Sequence, residues 1–464
     1  MKKILLLNLP WDERYLREYY CSKISKAKYY YAPVDLVYTT WWFEEAKYET
    51  IVIDAILENY SNDTVIDKII HLKPDYVIFL SSSASFRNDI NFFNELKIKL
   101  NNDNKIKFIW LWDIFKELKK DSFIQYPLLD AICLNFASKS VINYIENSNG
   151  DEIDNMIYKY KGKIIEWNLK FDTWFWNVPQ PKWSLFNLGK YSHPFAIKWK
   201  NQVVLTDFWC PYTCTFCAMS NLKYIERPLD EVLKELYTLN KLWVKDIFFI
   251  DNTFWIKKDR LKKICDFLKN TWIIRSCFSR VDLVNEEMIK YMSKSWCYAI
   301  IFWIESANED ILKQYKKNTK IIQMQGAMNL CKKHGIRVWG TFIIWLPWEN
   351  KESVLNTINF SLKLWLDYAS FNIATPRIWA HFREDMIKQW LVDPKELNLE
   401  STKQKTNAWK KNNLTHKELM HIQKMANRKF YLRFNYLFSK LIKLKSRYEF
   451  YNSIIEAYYI FFKK

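Results

Sequence analysis

The chain has 464 residues, 49% hydrophobic and 26% charged, with a formal net charge of +19. That composition excludes a disordered chain and suits a globular protein of two or three domains. No apolar run reaches the roughly 18 residues needed to cross a bilayer, so a membrane-spanning protein is excluded too.

In chain order, Met1-Lys2-Lys3 and the apolar Ile4–Leu7 look briefly like a signal peptide. The apolar stretch is short and acidic residues follow at once, so it reads as the first buried strand of a cytoplasmic protein. Strands are predicted at 4–9, 50–54, 76–81, 106–111 and 131–134, with helices near 61–73, 89–101 and 138–147. This alternation predicts a doubly wound, Rossmann-like parallel α/β domain over 1–165. A Pro- and Trp-rich linker follows over 166–199.

From about 200 the alternation restarts in longer units. Strands are predicted at 203–208, 246–251, 273–279, 298–304, 337–344 and 370–374, with helices at 229–239, 260–268, 286–293, 309–317 and 352–364. Six β/α units over 200–385 predict a partial TIM-type barrel with its reactive end at the strand C-termini. Residues 386–464 read as helical, basic and aromatic. Fifteen Lys and Arg against three Asp and Glu fall within 401–464. Such a tail reads as a packing helix that caps the barrel or as an interfacial helix on lipid. Nucleic acid ranks third, because arginine is scarce and no RNA-binding module is visible. The basic balance also fits an AT-rich genome with no partner at all.

Six of the nine cysteines (Cys21, Cys133, Cys265, Cys277, Cys297, Cys331) stand singly, and three lie within eight residues. Such usage favours a metal site in a reducing compartment over a disulfide framework. The triplet Cys210-Pro-Tyr-Thr-Cys214-Thr-Phe-Cys217 follows the first barrel strand directly. Three thiolates can hold a cubane cluster and leave one iron open, as catalytic zinc keeps an open position. Structural zinc is the alternative, but it wants a fourth Cys or His at matching spacing.

Glycine occurs 6 times and tryptophan 23 times. A usual share would give roughly 32 glycines. Tryptophan stands where turn chemistry calls for glycine, as in Leu346-Pro347-Trp348-Glu349 and at Trp209 before the first clustered cysteine. We expect many of these positions to be glycine in the cell, encoded by UGA read as glycine. The alternative is a genuinely Trp-rich protein.

Aromatic Phe216 before the last clustered cysteine, Phe249–Phe254, Ile301–Ser306 with Asn308–Lys313, and Ile343–Glu349 together resemble the radical S-adenosylmethionine superfamily. In that comparison Trp303, Trp345 and Trp348 stand at the family's glycine positions. The resemblance implies a [4Fe–4S] cluster on Cys210, Cys214 and Cys217. It also implies S-adenosylmethionine on the open iron, cleaved to a 5′-deoxyadenosyl radical with electrons from a flavodoxin or ferredoxin. By position Phe216 borders the adenine, Glu305 and Ser306 face the ribose or methionyl part, and Ile343 and Trp345 line the adenosine. For Glu305 a surface carboxylate is the alternative. Asp251 could touch substrate or cap a helix, and Arg280 could meet a carboxylate or form a structural ion pair.

The domain over 1–165 resembles the cobalamin-binding domain of the anaerobic magnesium-protoporphyrin monomethyl ester cyclase and class B methylase group. The stretches carrying this are Leu6–Pro10, Ile53-Asp54-Ala55, Pro74–Ile78, Ser81-Ser82-Ser83 and Ile109–Trp112. The resemblance implies cobalamin near Ser81, Ser82, Ser83, Trp110 and Trp112, although the serines could simply start a helix. The family's DxHxxG motif is missing, and His71 lies on a predicted helix. The expected activity is methyl transfer or oxidative cyclisation at an unactivated carbon of a small-molecule or lipid-like substrate, with peripheral membrane contact open. A radical enzyme without cobalamin and a non-catalytic iron–sulfur or nucleotide-binding module remain the alternatives.

Overall fold

The computed structural model describes residues 1–18, 22–25, 29–82, 85–100, 105–111, 118–126, 128–147, 152–167, 170, 180–194, 196–378, 380–395, 416–444 and 446–461. Two compact units make up the chain, one of Met1–Ser25 with Tyr29–Tyr191 and one of Ser192–Lys464. The first unit therefore runs past residue 165. Among the described residues no helix is long and apolar enough to cross a membrane.

The first unit is a seven-stranded sheet with helices. Its strands are β1 (Lys3–Asn8), β2 (Glu49–Asp54), β3 (Tyr76–Leu80), β4 (Lys107–Leu111), β5 (Leu129–Cys133), β6 (Met156–Tyr160) and β7 (Lys163–Glu166). Their order is β2-β1-β3-β4-β5-β6-β7. Strand β1 is an unbroken apolar run because helices cover both faces of a parallel sheet; Ile4 through Leu7 are fully buried. The helices are α1 (Val34–Glu45), α2 (Asn62–Leu72), α3 (Phe86–Lys99) and α4 (Ser140–Asn147). Ser61 starts α2 by accepting the Thr64 N–H at 3.2 Å. The order 2-1-3-4-5 places a crevice at the carboxyl ends of β1 and β3, where the winding reverses.

Two features of this unit depart from the sequence reading. Helix α1 was not predicted. The last two strands pair antiparallel, β5 with β6 and β6 with β7, so the sheet is not wholly parallel. The hairpin turns at Lys161-Gly162, both at positive φ (45° and 75°), which suits the right-handed twist of its strands.

The main sheet of the second unit has six strands, β8 (Asn201–Val204), β9 (Asp246–Phe249), β10 (Ile274–Ser279), β11 (Cys297–Glu305), β12 (Arg337–Ile344) and β13 (Tyr368–Ile373). They pair in sequential order and all in parallel, as the open barrel reading expected. Its helices are α5 (Leu229–Lys241), α6 (Lys258–Lys269), α7 (Glu286–Lys294), α8 (Glu309–Gln314), α9 (Ile321–Lys333), α10 (Lys351–Lys363) and α11 (His381–Lys388). Helix α9 was missed, and α8 is shorter than predicted because Lys316 and Asn318 turn left-handed (φ 55° and 58°). Beyond lie α12 (His416–Tyr431), α13 (Phe434–Ile442) and α14 (Arg447–Phe461). Helix α12 covers the free edge of the sheet. Gln423 Nε2 donates to Phe371 O at 2.8 Å, and Tyr431 OH donates to Ala369 O at 2.6 Å.

Tryptophan occupies a conformation that suits glycine. Fourteen non-glycine residues have positive φ among the described residues, and six are Trp209, Trp243, Trp272, Trp296, Trp345 and Trp390. Past α5, the Trp243 N–H bonds to Asn240 O and the Val244 N–H to Leu239 O. Past α11, Trp390 and Leu391 repeat that cap on Ile387 and Met386. Gly335 (φ 71°) and Ile336 make the same bonds past α9. This is the helix C-cap in which glycine avoids the Cβ penalty of the left-handed region.

Candidate active site

Every parallel strand of the second unit ends at one rim, and the cysteine loop leaves the first of them. Its root is clamped from three directions. Asp251, just past β9, accepts the Thr206 N–H at 2.7 Å, the Thr206 hydroxyl at 3.0 Å and the Asp207 N–H at 2.6 Å through Oδ1. Arg260 donates to Thr206 O at 2.9 Å, and Arg227 to Leu205 O. Asp251 is thus neither a helix cap nor free through that oxygen. Burial and the charge of Asp207 push its carboxyl up to about 8.

The tip of the loop is pinned by the strand-and-helix segments that follow β11. The Thr215 N–H donates to Tyr315 O at 3.0 Å, and the Phe382 N–H donates to Thr215 O at 3.0 Å. Cys217 N–H closes a turn on Cys214 O at 3.0 Å. Arg280 grips the loop from the end of β10. It donates to Asp282 at 3.0 and 2.8 Å and to Lys317 O at 2.8 Å, and its Nη1 lies 3.6 Å from Cys214 Sγ. The guanidinium also sits 3.9 Å from the Tyr212 ring centroid. The ion pair expected as one reading of Arg280 is therefore present, and it stands against a clustered cysteine.

Cys210, Cys214 and Cys217 are close enough to feel one another's charge, and burial pushes the Cys217 thiol up to about 12. A bound cation reverses such a shift, because a coordinated thiol is deprotonated outright. Among the described residues no three His, Cys, Asp or Glu converge as ligands of a single ion. The donor set, three thiols on one short loop, fits the cluster.

At the end of β11 a register shift sets Glu305 at φ 70°. Its side chain is buried, which overturns the surface-carboxylate alternative. Its partner is Lys317, with Nζ 3.6 Å from Oε1 and equally buried. Burial raises the Glu305 carboxyl, against the pull of Lys317 and Arg280. Ser306 is fully buried and lies 3.3 Å from Glu349 Oε1. Glu349 Oε2 in turn accepts the Leu346 N–H at 2.9 Å, which folds the loop after β12. Phe216 and Ile343 pack on one apolar cluster that includes Tyr315 and Leu346. Trp345 is buried at φ 70° beside it.

Several buried polar atoms at this rim have no hydrogen-bond partner: Asp251 Oδ2, Asn252 Nδ2, Ser279 Oγ, Thr319 Oγ1 and Trp345 Nε1. Buried groups of this kind are costly unless a ligand completes them. Lys317, Tyr315 and the orphaned Asn252 and Thr319 were missed in the sequence. A lysine three residues past a helix carries no motif, and only the short polar run Lys316–Thr319 hinted at a left-handed turn.

The rim of the first unit is built differently. Arg17 donates to Asp89 at 2.7 Å, to Asn8 Oδ1 at 2.9 Å and to Leu9 O at 2.9 Å. Ser81 and Ser85 donate to the other Asp89 oxygen at 2.6 Å each, and Tyr15 OH lies 2.7 Å from Ser82 Oγ. Asp54 is held by Tyr30, Tyr191 and Asn8. The Trp110 indole is fully buried against Phe79, Phe93 and Tyr126. Ser81 and Ser82 thus sit in a closed network, whereas Ser83 and Trp112 lie outside the described residues. His71 is exposed on α2. The described residues of this network carry no imidazole.

An open parallel barrel with a three-cysteine loop after its first strand is the arrangement that the sequence resemblance led us to expect. Residues 205–361 match the family described as the radical SAM superfamily, and the chain carries a radical SAM domain. An uncharacterized methyltransferase of Pyrococcus horikoshii is 35% identical over 44% of this chain and 46% of its own length. The anaerobic magnesium-protoporphyrin IX monomethyl ester cyclase of Rubrivivax gelatinosus is 22% identical over 74% of this chain and 64% of its own. The chain thus spans about half the length of the first of these relatives. Among solved structures, the cobalamin-dependent S-adenosylmethionine radical enzyme OxsB, with aqua-cobalamin and S-adenosylmethionine bound, aligns with 99% of this chain and 72% of its own at TM-score 0.72 and 16% identity. That likeness shows the fold alone.

Proposed function

We propose that this chain is a radical SAM enzyme holding a [4Fe–4S] cluster on Cys210, Cys214 and Cys217. The carrying observation is the clamped three-thiol loop at a rim whose buried polar atoms lack partners. The cluster supplies the electron that breaks the sulfonium bond of S-adenosylmethionine, with an external donor of the flavodoxin or ferredoxin class. The protein's own part is to bind, orient and exclude water. Lys317 and Glu305 offer opposite charges to the carboxylate and amino group of the methionyl part. Phe216 and Ile343 offer the adenosine an apolar wall, and Ser306 with Glu349 holds that wall in place. Asp251 and Arg280 act on the loop as positioning residues. The reaction class is methyl transfer or oxidative cyclisation at an unactivated carbon of a small molecule.

Cobalamin in the first unit is supported by the fold alone. Ser83 and Trp112, expected beside it, lie outside the described residues, and no step is routed through it. The test is anaerobic reconstitution with iron and sulfide. We expect S-adenosylmethionine to be cleaved to 5′-deoxyadenosine and methionine, with at least about a thousandfold loss in Cys214→Ala if the cluster is the working part. Zinc in place of iron, or a full cluster that leaves S-adenosylmethionine intact, sinks the reading. Corrinoid absorbance in the reconstituted protein decides for or against the cobalamin-dependent form.

We also propose that UGA-encoded glycine stands at the six left-handed tryptophans. The repeated helix cap supports it, because Gly335 already fills that role once. The same substitution at Trp209 and Trp345 removes indoles from beside the cluster and the nucleotide. Peptide mass mapping of the native protein checks each position, and tryptophan at Trp243, Trp296 and Trp390 defeats the proposal.

A further inference from the structure

Helices α13 and α14 bury one face and leave another bare. Inward, Tyr436 of α13 packs on Phe430 and Tyr431 of α12, while Glu449 of α14 pairs with Arg337 at the start of β12. Outward, α13 exposes Phe434, Leu437, Phe438 and Ile442, spaced i, i+3, i+4 and i+8 on one helical stripe. On α14 the exposed line is Phe450, Tyr451, Ile454 and Tyr458, again within one stripe. Phe434 is 81% exposed and Ile442 68%. An exposed apolar stripe on each of two helices is the kind of surface that marks an interaction site.

Charge decides what covers it. Across the described part of 416–461 eight Lys and Arg face only Glu418, Glu449 and Glu456, and Glu449 is already committed to Arg337. Arg428, Lys429 and Arg447 are exposed, with no carboxylate partner among the described residues. Apolar and aromatic stripes flanked by cations fit the headgroup boundary of an anionic bilayer, where phenyl and aliphatic groups enter and Tyr hydroxyls stay wet.

We propose that α13 and α14 form a peripheral docking surface for bilayers rich in anionic phospholipid. The fold also says which way the barrel then faces. A cavity of about 800 Å³ separates these helices from Gly335–Trp339 and Leu364–Tyr368, which lead into β12 and β13. The helices therefore stand at the strand entry ends, and the cysteine loop stands at the opposite rim. Docking tethers the protein with that rim turned away from the lipid, so the surface is an anchor and not a door for a lipid substrate.

The test uses the full chain and two vesicle types, phosphatidylcholine alone and phosphatidylcholine mixed with phosphatidylglycerol. Binding needs neither cluster nor S-adenosylmethionine and α13 and α14 contain no tryptophan, so this result is independent of the radical and recoding readings. We expect at least about tenfold stronger partitioning onto the anionic vesicles, weakened by salt. Phe438→Glu should remove about tenfold or more of it, and Phe438→Trp should retain it. Unchanged circular dichroism shows that the Glu variant is folded. Equal partitioning on both vesicle types, undiminished binding of Phe438→Glu, or concentration-dependent self-association without vesicle binding would overturn the proposal.

Discussion

The two sheets present the same kind of edge and finish it in opposite ways. At the first, the polar side chains gathered around Asp89 and Asp54 answer one another: Arg17 with Asp89 and Asn8, Ser81 and Ser85 with Asp89, Tyr30 and Tyr191 with Asp54. At the second, Asp251, Asn252, Ser279 and Thr319 each keep a buried atom with no partner, and Lys317 meets Glu305 only at 3.6 Å. A closed network rigidifies, whereas an incomplete one is costly and persists where something else completes it. Burial of polar residues alone therefore does not mark a site. The unanswered hydrogen bonds do.

The largest effect should come from breaking the closed edge. Arg17→Met leaves the Asp89 carboxylate buried without its cation, which typically costs about 3–5 kcal/mol. The same chain carrying Asp89→Asn as well should recover part of that loss, because the amide has no charge to leave unpaired and keeps an oxygen for Ser81 and Ser85. Denaturant unfolding of the single and double variants measures it. A single variant within about 0.5 kcal/mol of the parent would mean that this edge is not closed by the ion pair, and that it could open for a corrinoid.

How much of this contrast the sequence carried differs between the edges. The cysteine triplet, the six sequential strands and the Glu305-Ser306 and Leu346–Glu349 segments were legible because each is short, local and tied to a strand end. Lys317 was not, since its importance comes from a left-handed turn that folds it back onto Glu305 across twelve residues. The Arg17–Asp89 pair spans 72 residues, and nothing local to either residue announces it. The hairpin at Lys161-Gly162 was missed, although a glycine between two alternating segments was its signal. Of the six left-handed tryptophans, Trp209 and Trp345 were legible one by one from their motifs; Trp243, Trp272, Trp296 and Trp390 were legible only as a class, through glycine's scarcity, until the backbone singled them out.

A pair of buried carboxyls gives the second and smaller test of the comparison. Asp89 has a guanidinium at 2.7 Å, whereas Glu349, 5% exposed at the open edge, has hydrogen-bond donors and no cation. Burial accordingly pushes Glu349 from 4.5 to about 7. A carboxyl raised on folding stabilises the protein fully below its unfolded value and loses that contribution as pH rises through its folded value. Glu349→Gln keeps an oxygen for the Leu346 N–H and never ionises. Thermal unfolding of parent and variant should therefore agree most closely near pH 4.5 and diverge in the variant's favour up to pH 7, by at most about 3 kcal/mol. A gap that stays constant across that range would show Glu349 to be charged throughout. The open edge would then hold a buried anion that only a cationic ligand, such as the sulfonium cofactor, could satisfy.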